Sequence, residues 1–182
     1  MLELLNRTDM ETHQKRYIEI AQNSAQSLLS VINDILDFSK IEAGKLELDS
    51  IDFALRETLA DVVDIFASQT AAKQIELIGN ISPDLPGWVI GDPERLRQVL
   101  INILGNAVKF TESGSISLSA SCKKKTDKIA VLQIEIKDTG CGISKENLSK
   151  LFNSFTQADS STTRKYGGTG LGLTISLSLI HI

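Results

Sequence analysis

From Ile18 onward, apolar residues return at alternating steps of three and four: Ile18, Ala21, Ala25, Leu28, Ile32 and Ile35, with Leu29 and Leu36 widening the stripe. This a/d spacing predicts a helix that buries one seam against another helix. It starts near His13, and Gly44, just past Ile41, is a suitable end signal. The spacing leaves open whether the seam packs on its own domain or forms half of a dimerising hairpin. Leu46, Leu48 and Ile51 then alternate as a short strand, and Leu55, Leu59, Val62, Val63 and Phe66 return to helical spacing. Ile75 to Ile81 reads as a strand closed by Pro83, Pro86 and Gly87. Asp92-Pro93-Glu94 supplies an N-cap, a proline at the first helical position and an acid in the first turn. The helix that follows carries Leu96, Val99, Leu100, Ile103, Leu104, Ala107 and Val108 to about Phe110. Ile116, Leu118 and Ala120 alternate as one strand and Ile129 to Ile136 as another. The predicted class is α+β.

Composition narrows the picture. Over 182 residues, 42% are hydrophobic and 23% charged, the balance of a chain that folds. A net charge of -4 argues against a protein that grips nucleic acid through a basic face. Lys123-Lys124-Lys125 reads as a solvated loop between strands rather than a polyanion site. Two cysteines, Cys122 and Cys141, suggest neither a metal site nor a disulfide and fit a reducing, cytoplasmic setting. No apolar run reaches the roughly 18 residues that span a bilayer. The sequence itself therefore offers no membrane segment, although a parent protein could be tethered.

Candidate chemistry gathers in three places. On the helix after Asp92, Asn102, Asn106 and Lys109 are spaced by four and three, which puts them on one narrow face opposite the apolar stripe. Two carboxamides and an ammonium so aligned can meet a hydrated Mg²⁺ and phosphate charge; a solvent-facing polar stripe would give the same spacing. Asp138-Thr139-Gly140-Cys141-Gly142-Ile143 follows a strand, as an ordinary turn would. It could equally offer a carboxylate to the exocyclic amine of a base while glycines let the backbone pass close by. Gly167-Gly168-Thr169-Gly170-Leu171-Gly172-Leu173 leads into an apolar stretch, an arrangement in which backbone N–H groups at a helix start can face a polyphosphate.

In their order and spacing, with Leu151-Phe152-Asn153-Ser154-Phe155 between the last two, these segments resemble the N, G1, F and G2 boxes of the histidine kinases of the GHKL ATPase superfamily. The resemblance runs from Ile35-Leu36-Asp37-Phe38-Ser39-Lys40-Ile41-Glu42-Ala43-Gly44 to Leu173. It implies a Bergerat fold, a two-layer α/β sandwich with a mixed sheet and helices on one face, preceded by a long bundle-type helix. The implied division is a dimerisation segment over 1–44 and an ATP-binding catalytic domain over 45–182. The implied ligands are ATP or ADP and Mg²⁺. Asn106 resembles the metal ligand, with Asn102 beside it and Lys109 near the phosphates. Asp138 matches the adenine-reading aspartate, with Gly140, Gly142 and Ile143 beside the base. Phe152 and Phe155 match the aromatics of a mobile ATP lid, although core packing would explain them equally. Gly168, Thr169, Gly170, Leu171 and Gly172 match the lid's far hinge, and Thr174 a water-mediated adenine contact. Ser160 to Gly170 reads as the mobile part of that lid.

One substitution separates branches of the superfamily. Its ATP-hydrolysing members place a water-activating glutamate one turn before the magnesium asparagine, where this chain has Asn102. An amide is no general base near neutral pH, so the γ-phosphate is kept for another nucleophile, in histidine kinases an imidazole. The resemblance therefore implies a protein-histidine kinase of a two-component phosphorelay, pairing through its N-terminal helix with a second copy or an intact kinase and serving a response regulator or receiver domain. The family's acceptor stretch, Ser-His-Glu-(Ile/Leu)-Arg-Thr-Pro-like, does not occur in this sequence. His13, followed by Gln14, Lys15 and Arg16, reads as a surface residue, and His181 lies at the far terminus. The last two strands of the family's sheet are expected to be missing after Ile182, as in a fragment. A non-catalytic nucleotide-binding or dimerising module is the competing reading.

Overall fold

The computed structural model describes residues 11–126, 128–148 and 170–181. The chain divides into two compact units, Met1–Leu46 and Glu47–Ile182.

In the first unit, helix α1 spans Thr12–Glu42. It opens with the Glu11 backbone N–H donating to Gln14 Oε1 at 3.0 Å. It closes as predicted at Gly44, whose φ of +62° suits a left-handed cap. The Gly44 N–H donates to the Ile41 carbonyl and the Lys45 N–H to the Lys40 carbonyl, which satisfies two carbonyls the helix end would orphan. The seam read from the sequence lies open along this helix: Leu28, Leu29, Ile32, Ile35 and Leu36 are all exposed.

The second unit is α+β. Strand β1 (Ile51–Ala54) leads into α2 (Leu55–Ala72), β2 (Ile75–Ile81), β3 (Trp88–Gly91), α3 (Pro93–Phe110), β4 (Gly114–Lys125), β5 (Ala130–Asp138), the one-turn α4 (Lys145–Leu148) and α5 (Gly172–His181). Strands β1 and β3 form an antiparallel pair, while β2, β4 and β5 form a mixed sheet with β4 central. β2 runs parallel to β4 from Ile75↔Gly114 to Ile81↔Ala120, and β5 runs antiparallel to it. Ile116, Leu118 and Ala120 turn inward from β4 and meet Leu55, Leu59, Val62 and Phe66 of α2 and Leu100, Leu104, Ala107 and Val108 of α3. Burial of those side chains, at about 25 cal/mol per Å² of apolar surface, is what fixes α3 against the sheet.

The structure departs from the sequence reading in three places. Leu46 and Leu48 precede the strand rather than belong to it: β1 begins at Ile51. Trp88–Gly91, unanticipated between two sets of breakers, is a strand because β1 pairs with it from Ile51↔Gly91 to Ala54↔Trp88. The three lysines are not in a loop but end β4, where Lys124 and Lys125 pair with Val131 and Ala130 beyond a bulge at Cys122. A ladder needs only backbone groups, so side chains solvated on both faces do not prevent it.

Candidate functional site

Helix α3 starts as its sequence dictates. Asp92 Oδ1 accepts the Arg95 N–H at 2.9 Å, its other oxygen accepts the Asp49 N–H at 3.0 Å, and Pro93 fills the first helical position. With Leu100, Leu104, Ala107 and Val108 committed to the core, the opposite face presents Asn102, Asn106 and Lys109 in succession. Asn102 is tied to α5: its Nδ2 donates to the Gly172 carbonyl and to Ser176 Oγ, each at 3.3 Å. A Cβ on Gly172 would stand 3.4 Å from that amide, an ordinary van der Waals contact. Asn106, one turn on, is half-buried. The Lys109 ammonium lies 5.0 Å from the Phe110 ring centroid, and burial lowers its pKa from the ordinary lysine value.

The turn after β5 packs against the far end of the same helix. Asp138 Oδ1 accepts the Gly140 N–H at 2.9 Å, and the Cys141 N–H reaches the Phe110 carbonyl at 3.4 Å. A Cβ at Gly140 would stand 2.6 Å from the Phe110 carbonyl oxygen and 2.8 Å from Asp138 Oδ1, too close to be tolerated. Thr139 secures the turn from the other side: its Oγ1 accepts the Ser115 N–H at 3.0 Å. Lys109, Phe110, Glu112, Ser113, Thr139, Gly140 and Cys141 enclose a cleft of about 300 Å³, at the lower end of small-ligand sites. Gly142 takes a φ of +69° with open space beside it. Ile143 is exposed and stands outside the cleft lining.

At the far side of α3, Gly170 has a φ of +70°, and Leu171, Ile175 and Leu179 anchor α5 in buried positions. Thr174 is half-buried on this helix, its carbonyl accepting the Ser178 hydroxyl at 3.0 Å. Phe152, Phe155, Gly168 and Thr169 lie outside the described residues. Among the described residues no cluster of three or more His, Cys, Asp or Glu could hold a metal ion, and no helix is long and apolar enough to cross a membrane.

A polar helix face, a carboxylate turn and a glycine-led helix thus converge on α3. The family of histidine kinase-, DNA gyrase B- and HSP90-like ATPases matches residues 91–181, half of the chain, which takes in all three. The chain belongs to that family. The His Kinase A (phospho-acceptor) domain matches residues 1–44. "Hybrid signal transduction histidine kinase L" of Dictyostelium discoideum is 45% identical over all of this chain and 11% of its own length. "Signal transduction histidine-protein kinase BarA" of Escherichia coli K12 is 45% identical over 96% of this chain and 19% of its own length. "Sensor protein GacS" of Pseudomonas syringae pv. syringae is 48% identical over 98% of this chain and 20% of its own length. The chain spans between a tenth and a fifth of these relatives. Among solved structures, full-length ShkA in complex with AMPPNP superposes with a TM-score of 0.74 at 33% identity, covering 98% of this chain and 36% of that one.

Within the histidine kinase-, DNA gyrase B- and HSP90-like ATPase fold, the residues named from sequence fall into two groups. Lys109 and Gly140 share the cleft and Asp138 braces it, whereas Asn102 joins Gly172 on the α5 side of α3. Sequence reasoning passed over Ser113 and Glu112 and gave Thr139 and Cys141 no role of their own within their motif, although all four also line the cleft. Their one local signal was adjacency to Gly140 or to the end of α3.

Proposed function

We propose that this chain is the ATP-binding catalytic core of a two-component sensor histidine kinase, transferring the γ-phosphate of ATP to a histidine. The observation that carries the reading is the meeting of Lys109 and Gly140 in one cleft, with Asp138 clamped beside them. The Asp138 carboxylate reads an exocyclic amine, since its Gly140 bond fixes the carboxylate plane and it makes no other bond among the described residues. The partly desolvated Lys109 gains most from a phosphate, because water screens it less than a surface lysine. Gly140 keeps the wall low enough for a flat ring. Asn106 is the residue that would hold Mg²⁺, through an amide oxygen, with waters and phosphates completing the ion's shell. Mg²⁺ supplies neutralisation of phosphate charge. Gly142, Ile143, Gly170, Leu171, Gly172 and Thr174, with Phe152, Phe155, Gly168 and Thr169, complete the proposed nucleotide site.

Asn102 supports transfer to an imidazole over hydrolysis. Its amide N–H groups are engaged by Gly172 and Ser176, and an amide cannot take a proton from water near neutral pH. The exposed seam of α1 suits pairing with a second copy or an intact kinase, and a receiver domain would accept the phosphoryl group downstream; the setting is cytoplasmic, where ATP is supplied. Calorimetric titration with ATP, with and without Mg²⁺, tests the site. Labelled-phosphate transfer to a separately supplied helical hairpin bearing a histidine tests the reaction. Tight binding without transfer would favour a non-catalytic nucleotide-binding module, and steady phosphate release would favour an ATPase.

A further inference from the structure

We infer that Lys73 is a positioning residue for the nucleotide cleft: its ammonium closes the C-terminal end of α3 and thereby holds Lys109 and the Asp138–Cys141 turn in register. The inference rests on the functional reading of that cleft, but the geometry behind it is independent of any nucleotide.

The last four carbonyls of an α-helix have no partner within the helix. α1 solves this with Gly44, but α3 has no such device: its C-cap is Thr111, in extended conformation. Beyond the last bond of its own ladder, its end is closed by donors from elsewhere. The Ala107 carbonyl takes the Thr111 N–H at 3.0 Å and the Phe110 carbonyl takes the Cys141 N–H at 3.4 Å. The Val108 carbonyl takes Lys73 Nζ at 2.6 Å, and the same ammonium lies 3.4 Å from the Thr111 carbonyl. Val108 is buried, so its carbonyl depends on this donor. A cation at this end also meets the negative pole of the helix.

Lys73 is itself held firmly. It is the C-cap of α2, with its N–H bonded to the Gln69 and Thr70 carbonyls. Gln74 follows with a φ of +57°, reversing the chain into β2. Ile75 of β2 then pairs in parallel with Gly114, the first residue of β4. The α2-to-β2 and α3-to-β4 connections therefore lie side by side, and Lys73 is the side-chain bridge between them. The turn it closes carries Lys109, and its Phe110 carbonyl receives the Cys141 N–H. Loosening that turn lets the Phe110 carbonyl move against Gly140, where there is no spare room.

The test uses the full chain, with Lys73→Met keeping the stem without the charge, Lys73→Gln keeping a donor without the charge, and Lys73→Arg keeping the charge. In the nucleotide-free protein, amide hydrogen exchange at Thr111 and Cys141 should speed up about tenfold in Lys73→Met, while Leu59 and Val62 in α2 hold their protection. ATP affinity, read by calorimetry on the folded protein, should fall about five- to tenfold and return to within about twofold in Lys73→Arg. If Lys73→Met does not fold, Lys73→Gln is read in the same two ways and should show the same directions. Unchanged exchange at Thr111 and Cys141 overturns the inference, as does an affinity loss that Lys73→Arg fails to restore. Should the unaltered chain bind no ATP, the functional reading falls, while the exchange measurement still decides whether Lys73 closes α3.

Discussion

Thr139 occupies the space that a side chain on Gly114 would need. The Thr139 hydroxyl sits where a Gly114 Cβ would be built, and Gly114 has a φ of +105°, a region L-residues rarely adopt. That vacancy lets Thr139 bridge the first residues of β4 and so hold the Asp138 turn. Gly114→Ala should therefore lose stability by about 2 to 4 kcal/mol, from backbone strain and steric conflict together. Chemical denaturation measures it, and a loss below about 0.5 kcal/mol would show that the turn can move aside freely.

Asp138→Asn should weaken ATP binding by about 1.5 to 3 kcal/mol, the worth of a charge-assisted hydrogen bond. The amide oxygen can still accept the Gly140 N–H, so the turn should keep its shape and the thermal midpoint should barely change. Equal affinities for the two proteins would remove Asp138 from the adenine contact.

The burial of Lys109 sets a pH dependence whose sign can be worked out. Its folded pKa is lowered, so the unfolded chain holds this proton more tightly. Below the lowered value Lys109 is charged in both states and the desolvation cost is fully present. As pH rises through it toward the ordinary lysine value, this group's contribution to stability improves. Nucleotide binding should go the other way, because phosphate needs the ammonium: affinity should decline over the same alkaline window, with proton uptake on binding. Titrations in buffers of different ionisation enthalpy report that uptake, and Lys109→Arg should abolish the decline.

Thr111 Oγ1 is buried without a hydrogen-bond partner among the described residues. Removing the hydroxyl while keeping the β-branched shape should relieve a desolvation penalty, so Thr111→Val should gain about 1 kcal/mol. Denaturant unfolding checks this. A loss of comparable size would mean that the hydroxyl has a partner.

Local signals proved sufficient for the scaffold of the site. Asp92-Pro93-Glu94 set the start of α3, and the apolar spacing from Leu96 to Val108 set which face it buries, because both depend on residues within a turn or two. Gly44 ended α1 for the same reason. Contacts between distant segments left no such trace. The pairing of Trp88 with Ala54 is backbone chemistry that a four-residue strand between breakers does not advertise. Asn102 looked like one more member of a polar stripe, and its bonds to Gly172 and Ser176 cross seventy residues of sequence or more. Lys73 had no motif around it, since what defines it is an orphan carbonyl 35 residues away.

Helix α3 lines the core with Leu104 and the cleft with Lys109, with Asn106 on the same polar face, and this double duty restricts how the chain can change length. One inserted or deleted residue between Asp92 and Phe110 rotates everything beyond it by about 100°. Such a change would swing a carboxamide into the apolar interior and a leucine or alanine toward the cleft, spoiling packing and ligand contacts at once. Point substitutions can be absorbed along this helix; indels cannot. Length variation among related chains should instead collect in connections such as Thr126 to Ile129, where an extra residue alters no register that the site depends on.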